Sequence, residues 1–450
     1  MIGPLSFIGR VDCLSMASLM NEDPQSQPTS PLASEALRAL FVAPYGVGPG
    51  HLSARRLERF QRWLAVDQWN VSALADGRDA LSDSCRRVEV VDPAFASRGA
   101  ILSDQNDVAR LSKYARFAAR RCLVPDSKII WGTRACISPL VYKAAAASQV
   151  IVSTSPPESA HLLGAWISKV VSVPHLIDLR DGWLDEPLRG ELKARSVRRS
   201  IERVMESRVL SRAEAITVTS PEWKRALVER YPNLEAKVHV IPNVVPGRLV
   251  SKTPSVSVPP IPRLIYAGRL GASHGARDAR FILGPLEIEA QNAGRPFEVV
   301  FMGSFSREEG LQLQAFGGRI AARGWRIRVL AAGTYEQALS EISRSDGMLL
   351  LSASKSAIPS KLFDYVATRK PILALCARNS ATWNACAALE QAWLVDPFSS
   401  VCPVGFCKLV LAGRMGNVPA WMTEATVAAH FRRVVSSIVK VLPDAPKRFS

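Results

Sequence analysis

Short apolar runs alternate with longer polar stretches along most of the chain. In the first half these runs are Ala39 to Pro44, Asn70 to Ala75, Val88 to Val91, Val150 to Ser155, His175 to Leu179, Ala215 to Ser220 and Val238 to Pro242. In the second half they are Arg263 to Gly268, Phe297 to Gly303, Ile327 to Ala332, Gly347 to Ser352, Pro371 to Leu375 and Ala392 to Asp396. Each run is followed by a helical stretch, which is typical of parallel sheets covered on both faces. We therefore predict an α/β fold with two doubly wound, Rossmann-like domains.

Changes in composition along the chain set the predicted domain boundaries. Residues 1–36 are polar and turn-rich, and we predict a loose extension there. The first domain is expected over 37–245, a proline-rich linker over 246–262 and the second domain over 263–415. Apolar residues at helical spacing predict a helix within the last segment, 416–450. Ligands should bind at the carboxyl ends of the strands, which is where open α/β sheets bind them.

The charge of the chain indicates an anionic partner. The net charge is +17, with no helix-turn-helix, zinc-finger or RNA-recognition pattern. We therefore rank phosphorylated ligands and an anionic membrane surface above nucleic acid, which we do not expect as a partner. Arg55, Arg56 and Arg59 on the first predicted helix are candidate membrane contacts, although a solvated charged face has the same pattern.

Cysteine usage and hydropathy indicate where in the cell the protein is expected. The eight cysteines include no CxxC pair, and the chain has no signal-peptide pattern and no run of 18 uncharged apolar residues. We predict a cytoplasmic protein, with peripheral attachment at the inner face of the cell membrane as a hypothesis. No closely spaced ligand pairs point to a metal site.

Three loops carry the candidate chemistry of the first domain. Gly46, Gly48 and Gly50 follow the first strand and would let the backbone approach an acceptor or a phosphate, although a plain surface loop would look the same. Asp181 ends the motif 178–181 as a candidate base or anchor for substrate hydroxyls, with Asp178 and Arg180 pairing to orient the turn, or with a merely structural ion pair. His161, at the start of a helix, is a candidate catalytic residue or a packing residue.

In the second domain, two turns suit a diphosphate. Arg269 follows a glycine at the end of the first strand, and its guanidinium can fork onto phosphate oxygens. Residues 358–371 include Ser360 as a predicted helix cap, with Lys361 in the first turn. Asp364 lies one helical turn later on the same face, where it can accept hydrogen bonds from ribose hydroxyls.

Together these stretches resemble the GT-B-fold glycosyltransferases, specifically the retaining family 4 group with its bacterial surface-polysaccharide enzymes. The resemblance covers roughly residues 38 to 440. It rests on the order of four stretches: the Gly46 to Gly50 loop, Ser155-Pro156-Pro157 with Asp178 to Trp183, Ile241-Pro242-Asn243, and Pro359 to Tyr365 with Lys370-Pro371.

The resemblance implies transfer of a sugar from a nucleotide-sugar donor to a glycan or lipid-linked acceptor in surface-polysaccharide biosynthesis. It implies a donor held by the second domain, no metal or other cofactor, and a final helix that returns to the first domain. The chain departs from the family pattern at two places. His274 stands near the position of a family lysine, and Ser356 replaces the first of two paired acids, with Asp364 in the second place. These departures keep open a non-catalytic scaffold relative. An epimerase-like enzyme that acts on nucleotide sugars is a second alternative on the same fold.

Overall fold

The computed structural model describes residues 37–45, 52–76, 86–90, 123–184, 196–247, 261–270, 279–399 and 402–439. The predicted N-terminal extension, the Gly46, Gly48 and Gly50 loop, His274 and most of the predicted linker lie outside the described residues.

Within the described residues the strands form two parallel sheets, which we call the first and second lobes. The first-lobe strands are β1 (Arg38–Val42), β2 (Asn70–Ala75), β3 (Arg86–Glu89), β4 (Val150–Ser155), β5 (His175–Leu179), β6 (Ala215–Val218) and β7 (Val238–Val240). The second-lobe strands are β8 (Arg263–Ala267), β9 (Glu298–Gly303), β10 (Arg326–Ala331), β11 (Gly347–Ser352), β12 (Ile372–Cys376) and β13 (Ala392–Val395). The first sheet has the order β3-β2-β1-β4-β5-β6-β7 and the second the order β10-β9-β8-β11-β12-β13. Every predicted strand is present, with ends within two residues of the prediction.

Helices connect the strands. In the first lobe they are α1 (Leu52–Ala65), α2 (Ile129–Ala135), α3 (Pro139–Ala146), α4 (Ser159–Val171), α5 (Ser196–Arg212) and α6 (Pro221–Arg230). The remaining helices are α7 (Arg280–Asn292), α8 (Arg307–Ala321), α9 (Tyr335–Arg344), α10 (Lys361–Ala367), α11 (Ala381–Ala387), α12 (Phe406–Leu411) and α13 (Glu424–Val439).

Burial of the central strands explains why continuous apolar runs identified them. Every residue of β4, β5, β11 and β12 is buried, because helices cover both faces of each sheet. The predicted α/β fold with two doubly wound sheets is confirmed.

The last helix, α13, packs against the first lobe although it follows the second in sequence. The ring of Phe431 on α13 stacks on Phe60 of α1 with centroids 4.1 Å apart, and Trp63 meets Phe431 edge-on. The indole of Trp63 also donates a hydrogen bond of 2.8 Å to Glu424. The C-terminal segment therefore shares the core of the first lobe.

The carboxyl ends of the two sheets face each other. After β6, the hydroxyl of Ser220 donates a hydrogen bond to the carbonyl of Ser356, which follows β11. Asn384 of α11 donates to Glu222 of α6 at 2.8 Å. Ala357 packs in the same apolar cluster as Trp183, which follows β5. The segments after β5, β6 and β11 are thus brought to one region between the lobes.

Candidate active site

The second lobe has its topological switch point between β8 and β11, because β8 also pairs with β9 and β11 also pairs with β12. Open α/β sheets bind ligands in the crevice at such a point, outside the carboxyl ends of the strands. Gly268 directly follows β8, and Lys361 begins α10, the helix after β11. The predicted diphosphate residues therefore lie at the place where this topology binds ligands.

Two glycines let the backbone pack closely here. Gly268 has φ +131°, a conformation that side chains rarely adopt. A Cβ atom on Gly303, at the end of β9, would overlap the carbonyl oxygen of Gly268. The ends of β8 and β9 can therefore approach each other only without side chains at these positions, which leaves the crevice lined by backbone.

Lys361 reaches into this crevice. A Cβ atom placed on Gly268 would lie 3.2 Å from its Nζ, and Nζ lies 4.1 Å from the ring centroid of Tyr266. This nitrogen is buried and has no hydrogen-bond acceptor among the described residues. A buried ammonium without an acceptor is costly, and the aromatic ring offsets part of that cost. The arrangement is suited to an anionic ligand, which would supply the missing acceptors.

Arg269 and Ser360 flank Lys361 at the same end of the sheet. Arg269 is exposed, and its carbonyl accepts a 2.7 Å hydrogen bond from the hydroxyl of Tyr266, which fixes the turn. Ser360 precedes α10 as predicted, but its hydroxyl makes no capping hydrogen bond. The predicted cap is wrong because Ser360 has helical dihedral angles, φ −57° and ψ −30°, instead of the extended ones that aim a cap at the helix amides.

Asp364 lies where the two lobes meet. Its carboxylate accepts a 2.6 Å hydrogen bond from the hydroxyl of Tyr335, the first residue of α9. The guanidinium carbon of Arg55, from α1 of the first lobe, lies 3.2 Å from the ring centroid of Tyr335. Burial raises the pKa of Asp364 to about 6, although the hydrogen bond from Tyr335 and the charges of Arg55 and Arg59 act to lower it. A ligand hydroxyl that binds this carboxylate therefore joins a contact between the lobes.

In the first lobe, Asp178 is a buried structural hub. Its carboxylate accepts two hydrogen bonds from Arg56, at 2.8 and 2.6 Å, and one each from the hydroxyls of Thr154 and Thr217. Burial acts to raise the pKa of Asp178, but the charge of Arg56 and these hydrogen bonds outweigh it, so the pKa is lowered. The predicted pairing of Asp178 with Arg180 is wrong, because Arg56 from α1 occupies the carboxylate.

The same contacts correct the predicted membrane surface. Arg56 is 3% exposed and Arg55 stacks on Tyr335, so α1 turns these side chains inward. Arg59 lies within 3.5 Å of Asn243, at the exit of the first lobe. Arg55 therefore contacts the second lobe, Arg56 is buried against Asp178 and Arg59 contacts Asn243, so the three side chains do not form a membrane face.

Asp181 and Arg180 follow β5. Asp181 is partly exposed, at the carboxyl end of the sheet that faces the second lobe. The guanidinium of Arg180 is largely buried, its Nη1 has no hydrogen-bond partner among the described residues, and burial lowers its pKa. Asp181 is thus reachable by a ligand, and Arg180 places a desolvated cation beside it.

His161 lies inside the first lobe. It is 0% exposed, and the hydroxyl of Ser153 lies 2.7 Å from its Nδ1 and 2.7 Å from Nε2 of His175. Burial lowers the pKa of His161 to about 3, so the ring is neutral at physiological pH. The structure does not place it on the ligand-facing surface beside Asp181. Its predicted catalytic role stays a prediction.

The sequence does not predict Arg56 as the partner of Asp178 or Tyr335 as the partner of Asp364. Its local pattern presents Arg56 only as a surface residue, because Asp178 is 122 positions away. Tyr335 had one usable signal, since it directly follows the loop after β10 at the carboxyl edge of the sheet.

Among the described residues, no group of three or more His, Cys, Asp or Glu side chains is placed to hold a metal ion. None of the helices within the described ranges is long and apolar enough to cross a membrane.

Comparison with known proteins agrees with this architecture. Residues 53–244 match the family model described as "Glycosyl transferase 4-like domain". No curated protein matches the sequence.

Solved structures share the fold. The HepE protein of Anabaena, in complex with UDP and glucose, is 14% identical with a TM-score of 0.53, covering 90% of this chain and 97% of that chain. Sucrose-phosphate synthase from Thermosynechococcus elongatus is 16% identical with a TM-score of 0.52, covering 89% and 94%. A glycosyltransferase from Rickettsia africae is 12% identical with a TM-score of 0.54, covering 91% and 100%. These structures confirm the GT-B fold, and the family model over residues 53–244 agrees with the predicted resemblance to family 4 glycosyltransferases.

Proposed function

We propose that the chain is a glycosyltransferase that moves a sugar from a nucleotide-sugar donor to a glycan or lipid-linked acceptor in surface-polysaccharide biosynthesis. The observation that carries the proposal is Lys361, whose buried ammonium sits beside Gly268 at the switch point of the second lobe without an acceptor among the described residues. A diphosphate would supply the oxygens that this nitrogen needs. The structures of HepE with UDP make UDP-sugars the first donors to test.

In this proposal the second lobe holds the donor. Lys361 and Arg269 bind the diphosphate, with the hydroxyl of Ser360 as a further donor, and Asp364 accepts hydrogen bonds from the ribose. Breaking the bond between the anomeric carbon and the diphosphate oxygen builds negative charge on that oxygen, and fixed cations lower the barrier. The new bond forms between the anomeric carbon and an acceptor hydroxyl.

The acceptor binds at the first lobe, near Asp181. Asp181 either takes the proton of the attacking hydroxyl or holds the acceptor by its other hydroxyls. Retention of the anomeric configuration, which the proposal includes, favours the second role. NMR of the purified product reads the configuration directly, and an inverted product would assign the base role to Asp181.

Donor binding is tested with Lys361→Ala and Arg269→Ala, measured by calorimetry with UDP and by transfer from a panel of labelled nucleotide sugars. Lys408→Ala is the matched control, since it removes one exposed lysine from the same lobe. Loss of a group that stabilises the transition state lowers turnover by about 10²–10³-fold, and we expect losses of this size in both site variants and none in the control. Unchanged UDP affinity and turnover in Lys361→Ala would refute the donor site.

The same assay separates the alternatives. Release of an isomerised nucleotide sugar without transfer would indicate an epimerase. Binding of UDP without any turnover would indicate a non-catalytic relative, as the serine at position 356 allows. Transfer that persists in excess chelator is expected, since the proposal requires no metal.

A further inference from the structure

The first turns of helix α5 of the first lobe depart from the pattern of an ordinary surface helix. The helix buries two glutamates and exposes aliphatic side chains: Glu202 and Glu206 are each 1% exposed, whereas Val197 is 72% exposed. Surface helices normally turn apolar residues inward and charges outward. The pattern on α5 therefore needs an explanation other than the packing of the core.

Buried partners account for the inward acids. Glu202 accepts a 2.7 Å hydrogen bond from Arg198, and Glu206 accepts from the hydroxyl of Tyr231 at 2.8 Å and from Arg230 at 3.1 Å. These pairs occupy the inner side of α5 around Glu202 and Glu206, Val209 and Leu210 pack in the core further along, and Val197, Ile201 and Val204 face outward. Their spacing places them on one stripe of the helix.

The two neighbouring helices expose apolar side chains as well. Helices α3, α4 and α5 lie side by side, on the sheet face opposite α1 and α13. On α4, Trp166 and Val170 are 52% and 53% exposed, and on α3 Leu140 is 64% exposed. The indole of Trp166 donates a 3.1 Å hydrogen bond to Tyr142, which ties α4 to α3. We call these residues, together with the stripe on α5, the apolar face of the first lobe.

The exposed charged side chains on the three helices of the apolar face have one sign. Within the described residues of α3, α4 and α5, the exposed charged side chains are all basic: Lys143, Lys169, Arg199, Arg203, Arg208 and Arg212. The acids of α5 are buried and neutralised. Apolar side chains ringed by lysine and arginine are the pattern of helices that lie on anionic lipid surfaces, where tryptophan also favours the interface.

We propose that the apolar face of the first lobe docks on an anionic lipid bilayer. Charge complementarity selects this partner, because the exposed charged side chains in the described parts of these three helices are all basic and the whole chain carries a net charge of +17. Apolar side chains from three adjacent helices enter the boundary between headgroups and acyl chains, while the arginines contact the headgroups. The inference does not depend on sugar transfer, since it concerns the outer side of the lobe.

The test is sedimentation of the full chain with vesicles of equal parts phosphatidylcholine and phosphatidylglycerol, and with vesicles of phosphatidylcholine alone. We expect binding to the anionic vesicles that weakens with salt, and little binding to the neutral ones. Each basic residue near such a surface contributes about fivefold to the partition coefficient, so Arg203→Gln/Arg208→Gln should weaken binding about 25-fold. The control Arg323→Gln/Arg414→Gln removes the same charge from exposed positions of the second lobe and should bind almost as the parent does.

A second pair of variants tests the apolar contribution. Ile201→Ser/Val204→Ser should weaken binding to anionic vesicles, whereas Leu311→Ser/Val329→Ser, at exposed apolar positions of the second lobe, should not. Equal losses in the face and control variants would overturn the proposal, as would failure of the parent chain to bind anionic vesicles. Self-association of the parent that disappears in Ile201→Ser/Val204→Ser would assign the face to a second copy instead.

Discussion

Replacing Asp364 by asparagine should change how the stability of the protein depends on pH. Burial raises the pKa of this carboxyl from an ordinary 3.8 to about 6 in the folded chain. Because the folded pKa is the higher one, the carboxyl favours folding below about pH 4, and this contribution is lost as the pH rises through about 6. The difference between the folded and the ordinary pKa corresponds to about 3 kcal/mol of unfolding free energy, which the parent has lost at neutral pH. Asparagine keeps an acceptor for the hydroxyl of Tyr335 but cannot ionise.

Urea unfolding at a series of pH values measures the effect. The stability of Asp364→Asn relative to the parent should rise by up to about 3 kcal/mol between about pH 4 and pH 7. Glu308→Gln removes an exposed carboxylate of the same lobe and serves as the control. Parallel pH profiles for Asp364→Asn and the parent would refute the assignment of a raised pKa to this carboxyl.

Donor affinity gives a second reading of the same variant. If the carboxylate binds ribose, Asp364→Asn should raise the KM for the donor by about 10- to 100-fold, the usual worth of hydrogen bonds to a charged group. In the parent, donor binding should weaken as the pH falls below about 6, because the protonated carboxyl accepts hydrogen bonds less well. A variant that changes stability but leaves the donor KM unchanged would make Asp364 a structural residue.

Three further predictions follow from the first lobe. Asp178→Ala should lower the unfolding free energy by about 3–5 kcal/mol in urea titrations, because it leaves Arg56 buried without its carboxylate. The double variant Arg56→Met/Asp178→Leu should recover most of that loss. Equal losses in both variants would contradict the ion-pair explanation. Phe431→Ala should lower the unfolding free energy by about 3–5 kcal/mol, because it removes the ring stacked on Phe60. Ser436→Ala on the same helix is the control. A loss similar to that of the control would mean that α13 does not stabilise the first lobe. His161 should show no imidazole titration by NMR above about pH 5, as its burial requires; a midpoint near that of free histidine would show that solvent reaches it.

The strands were predictable because their burial leaves a local signal. A strand covered on both faces must be apolar at successive positions, and Gly347–Ser352 and Val150–Ser155 match their predicted ranges residue for residue. Loops after such strands also follow from the order of elements, which predicts Arg269 and Lys361 at the same end of the second sheet. What chain order could not supply is the partner of a side chain across the fold.

The arginines of α1 illustrate that limit. In sequence Arg55, Arg56 and Arg59 look like one charged surface, yet the structure sends Arg56 to Asp178 and Arg55 to Tyr335 in the other lobe. Glutamates of helix α5 are likewise buried, although charged residues on a surface helix normally face solvent. For Arg56 the ion pair joins residues 122 positions apart, and no local pattern encodes that pairing. On α5, Glu202 pairs with Arg198 of the same helix and Glu206 with Arg230 of the next, and the packing of the lobe decides that these pairs face inward.

Helix α1 links the core of the first lobe to the donor side of the second. Phe60 and Trp63 hold α13, Arg56 holds Asp178 beneath the carboxyl end of β5, and Arg55 meets the Tyr335–Asp364 pair across the lobes. A donor that binds Asp364 must therefore either join or replace a contact made by the opposite lobe. If the donor strengthens that contact, thermodynamic linkage requires closure of the lobes to strengthen donor binding by the same factor. If the donor replaces the contact, donor binding and closure of the lobes weaken each other. Arg55→Ala separates the two cases, because it should weaken donor affinity in the first and raise it in the second.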